Sequence, residues 1–466
     1  MIKELEINWF THPTGDPFTD VGGYVWDFLE RKHPNKKPID IVEIVAKIYI
    51  NDWEQKMHPF FANSKITHNS FGGKPDKSLS ETRIFYRQIL DEASEVVASR
   101  KGFCRVTGRE TVLYSAERST TILNGAGSLM NFHHAFEYGS MVSKEVLVRN
   151  FVMPLGVVQV GGLPAIVISN DERITRFIVE ENCQKHLDAL GQNIKKGLRK
   201  AKASNPANAL FDYVLRILQD IKYEFDIDKP NTEGVSLNLF HFSNFVNGVA
   251  LNLHTLSASA FNFYGYCLKR YSQEWLIFIN AHYKKGDDKK KDKKETVLEE
   301  DAPESHPNPI LNKIMKGGNL TYDFLSWLIS GKQLNFQIIE LYQILIRNMD
   351  KRTMQVLRRV AEFIANKCSD DDTTKAIKRL NSANSRQDVF IALLKLVEKN
   401  KDNEEALIRL EDVEFIFPDG FGWREMRNIL LIAVYEQLHE ANRKVGDVGG
   451  LPDTPDLNTE SEDNKD

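Results

Sequence analysis

The chain has 466 residues, 42% of them hydrophobic and 10% aromatic, which is enough to bury a large core in two or three domains. No stretch approaches the roughly 20 consecutive apolar residues of a membrane span, and the opening Met1-Ile-Lys-Glu-Leu-Glu6 lacks the apolar core of a secretory signal, so a cytoplasmic protein without a membrane partner is expected. The net charge of −4 excludes a uniformly basic nucleic-acid binder, but six acids against one lysine lie beyond Pro452, leaving residues 1–451 at 60 basic minus 59 acidic, or +1.

Residues 1–230 mix helix and strand signals. Thr14-Gly15-Asp16-Pro17 is turn chemistry, and Asp20 is placed to N-cap an apolar-periodic run through Tyr24, Val25, Phe28 and Leu29. Gly22 and Gly23 then fall in the first helical turn, where a close backbone neighbour needs them. Helical periodicity returns over Ile41–Ile50 and Glu81–Val97, whereas Val157-Val158 and Ala165–Ile168 read as short strands around Gly161-Gly162. Residues 180–225 are helical again, interrupted by the basic run Lys195-Lys-Gly-Leu-Arg-Lys-Ala-Lys202.

Residues 231–307 form a hairpin and linker region. Val235–Asn244 and Val249–His254 alternate apolar and polar residues about Asn247-Gly248, a hairpin signature. Phe261–His282 follows, and then Lys284–Lys294, a low-complexity stretch with nothing apolar to bury, read as an exposed or disordered linker. From Asn308 the pattern is helical through Leu320–Ile329, Phe336–Asn348, Thr353–Lys367, Asp388–Lys399 and Trp423–Asn442, which predicts a bundle of four or five helices over 308–445. The acidic end, 446–466, is expected to be disordered. The fold class is therefore α+β, a mixed α/β N-terminal and middle region followed by a C-terminal helical bundle.

Motifs for phosphate cradles, zinc proteases, serine hydrolases and dinucleotides are absent, so no cofactor is expected. Cys104, Cys183, Cys267 and Cys368 have neither disulfide nor metal-ligand spacing. His133, His134 and Glu137 are the best metal-like group, but adjacent histidines point to different sides and a third ligand is not evident. Two loops carry the groups that read a short duplex element: Asn63–Lys77 and Asn124–Ser128 combine amides, hydroxyls, ammonium groups and glycines. The motif-reading candidates there are Lys65, Asn69, Lys74, Asn124 and Ser128. Backbone-contacting candidates are Lys195, Lys196 and Arg199, with Arg352, Arg358 and Arg359 in a window from Arg347 to Lys401 that holds 13 basic and 7 acidic residues.

Several segments together resemble the large subunit of type I CRISPR Cascade surveillance complexes, in the subtype I-B / I-A group. They are Trp9–Tyr24 with its Thr-Gly-Asp-Pro-Phe-Thr-Asp core, Met153-Pro-Leu-Gly156 with Gly161-Gly162, and Phe242-Ser243-Asn244. Ile346–Arg352 through Ala361–Ala365 and Gly422–Leu430 are similar to two late helices of that family, so the likeness touches most of residues 9–440. Phe103-Cys-Arg-Val-Thr-Gly108 is similar to one half of a zinc ribbon in the family, here a ribbon-like insert near 100–170 that has lost its metal. Asn131-Phe-His-His134 resembles a family element that follows this turn, which adds Asn131 to the motif readers.

The resemblance implies a non-enzymatic subunit that partners crRNA, double-stranded target DNA with its displaced single strand, and the other Cascade backbone subunits. It also implies reading of a protospacer-adjacent motif, duplex opening, R-loop stabilisation and recruitment of a separate helicase-nuclease in trans. Some members of the group are similar in making a small subunit by internal translation, for which Met315, Met349 and Met354 are the candidate starts. The rival readings are a metal-dependent nuclease built on His133, His134 and Glu137, and a purely architectural subunit.

Overall fold

A computed structural model describes residues 7–53, 57–92, 99–124, 130–131, 137–220, 234–242, 250–283 and 306–448. These divide into two compact units. The first comprises the described residues up to 220, both strands of the later hairpin, and His306; the second comprises chiefly 258–283 and 307–448.

The first unit is organised around two helices that nearly touch. α1 (Pro17–Lys32) starts on Asp16, whose carboxylate accepts the Thr19 N–H, with Pro17 in the first helical position where no N–H is needed. The cap is therefore Asp16 and not Asp20 as expected; Asp20 instead binds Thr14 N, Thr14 Oγ1 and Gly15 N at 2.8, 2.8 and 2.9 Å, closing the turn before the helix. α4 (Lys144–Val152) crosses α1 at Gly22 and Gly23. A Cβ on Gly22 would land on the Arg149 carbonyl, and one on Gly23 would lie 2.7 Å from the Arg149 guanidinium, so the close neighbour expected from sequence is α4.

Met153–Gly156 continues α4 as a buried 3-10 turn, and there a Cβ on Gly156 would press on Val21, Val25 and Val179. The chain then enters β6 (Val158–Val160) and β7 (Leu163–Ser169), joined by Gly161 and Gly162, both at positive φ as a tight two-residue hairpin requires. β8 (Leu237–Phe242) and β9 (Leu251–Leu256) extend this antiparallel sheet in the order β6-β7-β8-β9. The hairpin expected after residue 235 is thus present; its tip, with Asn247-Gly248 and Ser243-Asn244, lies outside the described residues. α5 (Glu172–Gly191), capped by Asp171, packs on β7, and α6 (Pro206–Asp220) packs on β8.

Two further helices complete the core. α2 (Pro38–Lys47) runs into a π-turn at Ile48–Asp52, and α3 (Pro75–Leu90) packs beside it. α3 begins six residues ahead of the expected Glu81, because Pro75 follows a turn at positive-φ Gly73. A second antiparallel sheet, in the order β1-β2-β5, joins β1 (Ser99–Phe103), β2 (Glu110–Ala116) and β5 (Ser140–Val142), while β3 (Met130–Asn131) pairs with β4 (Glu137–Tyr138).

The second unit is helical from α7 (Ala258–Arg270) and α8 (Ser272–Ala281) onward. It continues through α9 (Pro309–Lys316), α10 (Thr321–Ile329), α11 (Phe336–Leu345) and α12 (Lys351–Glu362) with a π-turn to Lys367. α13 (Asp370–Asn381), α14 (Arg386–Lys399), the single turn α15 (Val413–Ile416) and α16 (Trp423–Glu440) follow. α16 is its axis, buried without a break from Glu425 to Val434. This exceeds the four or five helices expected. α13 was hidden by its Asp-rich first turn, although Ala376, Ile377 and Leu380 face inward. Helices α7 and α8 also belong to this unit, so the region expected as one segment over 231–307 is divided between the two units. The lysine run from 284 and the tail beyond 448 lie outside the described residues. No helix among the described residues is long and apolar enough to cross a membrane.

Candidate nucleic-acid interface

The loop singled out at Asn63–Lys77 folds over a cleft of about 350 Å³ in the first unit. Asn63 turns the chain at φ 63, and Ser64 and Thr67 hydrogen-bond each other and the backbone between them. The Ser78 hydroxyl donates to the Lys65 carbonyl at 2.7 Å, fastening the loop to α3. These bonds fasten the loop within itself and to α3, and a loop ordered before binding pays less on binding.

The floor of the cleft is aromatic. Phe61, Tyr86 and Phe151 are buried and mutually packed, with the Tyr86 and Phe151 rings 4.5 Å apart, and burial pushes the Tyr86 phenol well up. Phe71 and Phe85 are half-buried at the sides. The walls carry Asn63, Ser64, Lys65, His68 and Ser70 from the loop and Ser119 and Thr120 from the segment after β2. Asn124, four residues after Thr120, donates to Thr121; the rest of the second loop, 125–129, lies outside the described residues.

Charge gathers on the loop and on α3. Lys65 and Lys77 approach the Phe71 ring at 5.7 and 5.6 Å, and Lys65 also pairs with Glu81 at 3.6 Å. Lys74 is exposed at the start of α3, whose first N–H groups have no side-chain cap, a terminus that favours anions. Asn69 is exposed on the 3-10 turn Asn69–Phe71. Ser128 and the Asn131 side chain lie outside the described residues.

The backbone candidates behave unequally. Lys195 and Lys196 are exposed after α5 and pair with no other described residue. Arg199 is anchored: its N–H donates to His186 Nε2 at 2.8 Å, its carbonyl accepts from Gln159, and its guanidinium reaches Asn182 at 3.4 Å. His186 is neutral, its pKa lowered to about 4 by burial, with its other ring nitrogen on the Leu155 carbonyl. In the second unit Arg352 and Arg359 both pair with Asp412, which is nearly buried, and Arg358 pairs with Glu340 at 2.8 Å. Those partners, and Glu425 on Arg347, lie outside the basic window, so much of its apparent excess of positive charge is neutralised internally.

The segment Phe103–Gly108 folds as a hydrogen-bonded turn. Cys104 N–H donates to the Arg109 carbonyl, Gly108 N–H returns to Cys104, and the Cys104 sulfur accepts from Thr107 and Ser143 N–H at 3.5 and 3.3 Å. Burial raises the thiol pKa, but these donors prevail and lower it. No group of three or more His, Cys, Asp or Glu side chains converges on a metal-sized point among the described residues. His133, His134 and the Glu137 side chain lie outside them.

Sequence reasoning missed Arg149. Its buried guanidinium donates to the carbonyls of Thr19, Trp9 and His12 at 2.9, 3.2 and 2.8 Å and to Asp20 at 2.7 Å, so Trp9–Tyr24 and α4 form one hydrogen-bonded core. Thr82, Phe71 and Phe85 were missed as well. Only their helical or turn spacing signals them, and that spacing cannot distinguish a cleft wall from ordinary core.

The chain thus combines an α+β first unit, which bears a polar and aromatic cleft, with a helical second unit. Residues 328–464 of the chain match the family described as the DevT C-terminal domain. DevT is a CRISPR-associated, Cascade-type subunit, so the match is compatible with a Cascade-like protein and points to a CRISPR-associated function. No curated protein and no solved structure match the chain.

Proposed function

We propose that this chain is the large subunit of a crRNA-guided Cascade-type surveillance complex and acts without catalysis of its own. The carrying observation is the cleft, in which the loop chosen for duplex-reading chemistry is fastened to α3 over aromatic rings. The DevT-like C-terminal segment supports the setting. Guide RNA pairs with the target strand in such complexes, leaving protein to read only a short flanking duplex motif.

In this reading Lys65, Asn69 and Lys74 approach the flanking duplex, and Asn124, Ser128 and Asn131 are the next candidate readers. Lys195 and Lys196 follow the backbone of crRNA or displaced strand. The other Cascade subunits hold the chain in place, and the formed R-loop recruits a helicase-nuclease in trans. A separate C-terminal product is part of the same proposal. Starts at Met349 or Met354 would remove Arg347, whose guanidinium holds buried Glu425 through two bonds of 2.9 Å, so Met315 is the start most consistent with the fold.

Lys65→Ala with Lys74→Ala tests the cleft. Removing one lysine from a phosphate lowers the slope of log affinity against log salt by about 0.9. The double variant is expected to capture duplex more weakly and with a shallower salt dependence, while still assembling with its partners. Unchanged duplex affinity and unchanged slope would remove the loop from the mechanism.

A further inference from the structure

We infer that the Asn63–Lys77 cleft is a pocket for a single unpaired nucleobase of the DNA strand, an inference that rests on the duplex-binding reading of the same loop. A surface that only followed phosphates would need ammonium groups and backbone N–H groups, with no hollow. Here there is a hollow of about 350 Å³, within the roughly 300–1,000 Å³ of small-ligand pockets.

Its composition matches a base more closely than other ligands. A free phosphate has no use for the half-buried rings of Phe71 and Phe85, and a lipid tail has none for Asn63, Ser64, Ser70 and Ser119. A base presents both faces: π-surface for the rings, and an edge of donors and acceptors for the amide and hydroxyls. The half-buried Phe71, flanked by Lys65 and Lys77, combines a stacking surface with positive charge for the attached phosphates. Glu81 pairs with Lys65 and Asp76 lies in the first turn of α3, so the positive charge is partly offset, which suits a strand that must also leave.

An unmet hydrogen bond supports the assignment independently. Thr82, 2% exposed, lines this cleft, and its hydroxyl has no partner. Native structures rarely leave a buried hydroxyl unpaired, and the exceptions call for a reason. The hydroxyl oxygen is itself almost inaccessible, so a base edge entering the cleft would supply the missing partner with a small shift of the side chains over it.

The test uses the purified full chain and two short duplexes identical except at one central bulged position, which carries either an extrahelical adenine or an abasic sugar. Their affinities are compared by fluorescence anisotropy at one salt concentration. The base-bearing duplex is expected to bind about tenfold more tightly, and the ratio is expected to fall to near one in Phe71→Ala and in Thr82→Val. Thr82→Val should melt like the parent, because its hydroxyl contributes no bond, so it carries the test if Phe71→Ala is unstable. Equal affinity for the two duplexes in the parent chain would overturn the base pocket while leaving duplex binding intact. A ratio that survives both substitutions would overturn this cleft as its location. No affinity for either duplex would overturn the duplex reading and the pocket with it.

Discussion

A single arginine explains why the N-terminal segment has the sequence it has. Arg149 is fully buried, and all of its bonds on that segment go to three carbonyls and to Asp20, which in turn ties down Thr14 and Gly15. Gly22 and Gly23 exist in α1 because that guanidinium and its backbone occupy the space a side chain would need. Truncation takes the charged partner from Asp20 and the donor from the Thr19, Trp9 and His12 carbonyls, so Arg149→Met is expected to cost about 3–5 kcal/mol. Gly22→Ala forces α1 away from α4 and is expected to cost about 3 kcal/mol or more. Denaturant unfolding of both variants checks this; a destabilisation under about 1 kcal/mol would mean that the two helices tolerate separation.

At the scale of elements, the second unit is not closed by the helices after residue 308. Phe263 of α7 packs edge-on against Tyr342 at 5.2 Å, and Phe278 of α8 packs on Phe324 and Trp327 at 5.5 and 5.3 Å. A product begun at Met315 would bare those rings, so it is expected to melt well below the full chain and to bind a hydrophobic dye unless another subunit covers it. A fragment 315–466 that melts cooperatively at the temperature of the full chain would show that α7 and α8 are dispensable. Much of this organisation is legible in sequence. Strict alternation about Asn247-Gly248 announces β8 and β9, and Gly161-Gly162 announces the β6–β7 turn. What the sequence hides is long-range pairing. Nothing local tells that Arg352 and Arg359 will meet Asp412, so a basic window reads as a phosphate track when much of it is internal ion pairs. For the same reason the loop at 63–77 is recognisable as polar and flexible in composition, but the aromatic floor beneath it comes from α3 and α4 and is visible only once they pack.

For the whole molecule, two kinds of unit follow one another: a first unit with a charged and aromatic cleft, and a helical second unit, most of whose later helices match the DevT C-terminal domain. The proposal of recognition without catalysis rests on that cleft, which offers ring surface, hydrogen-bonding groups and charge. The deciding measurement is reconstitution of the guide RNA complex with and without this chain, followed by selection on duplex targets carrying a randomised flanking motif. Enrichment of a particular motif only when the chain is present is the expected result. Equal, motif-independent binding in both preparations would contradict it and leave the chain an architectural or catalytic component.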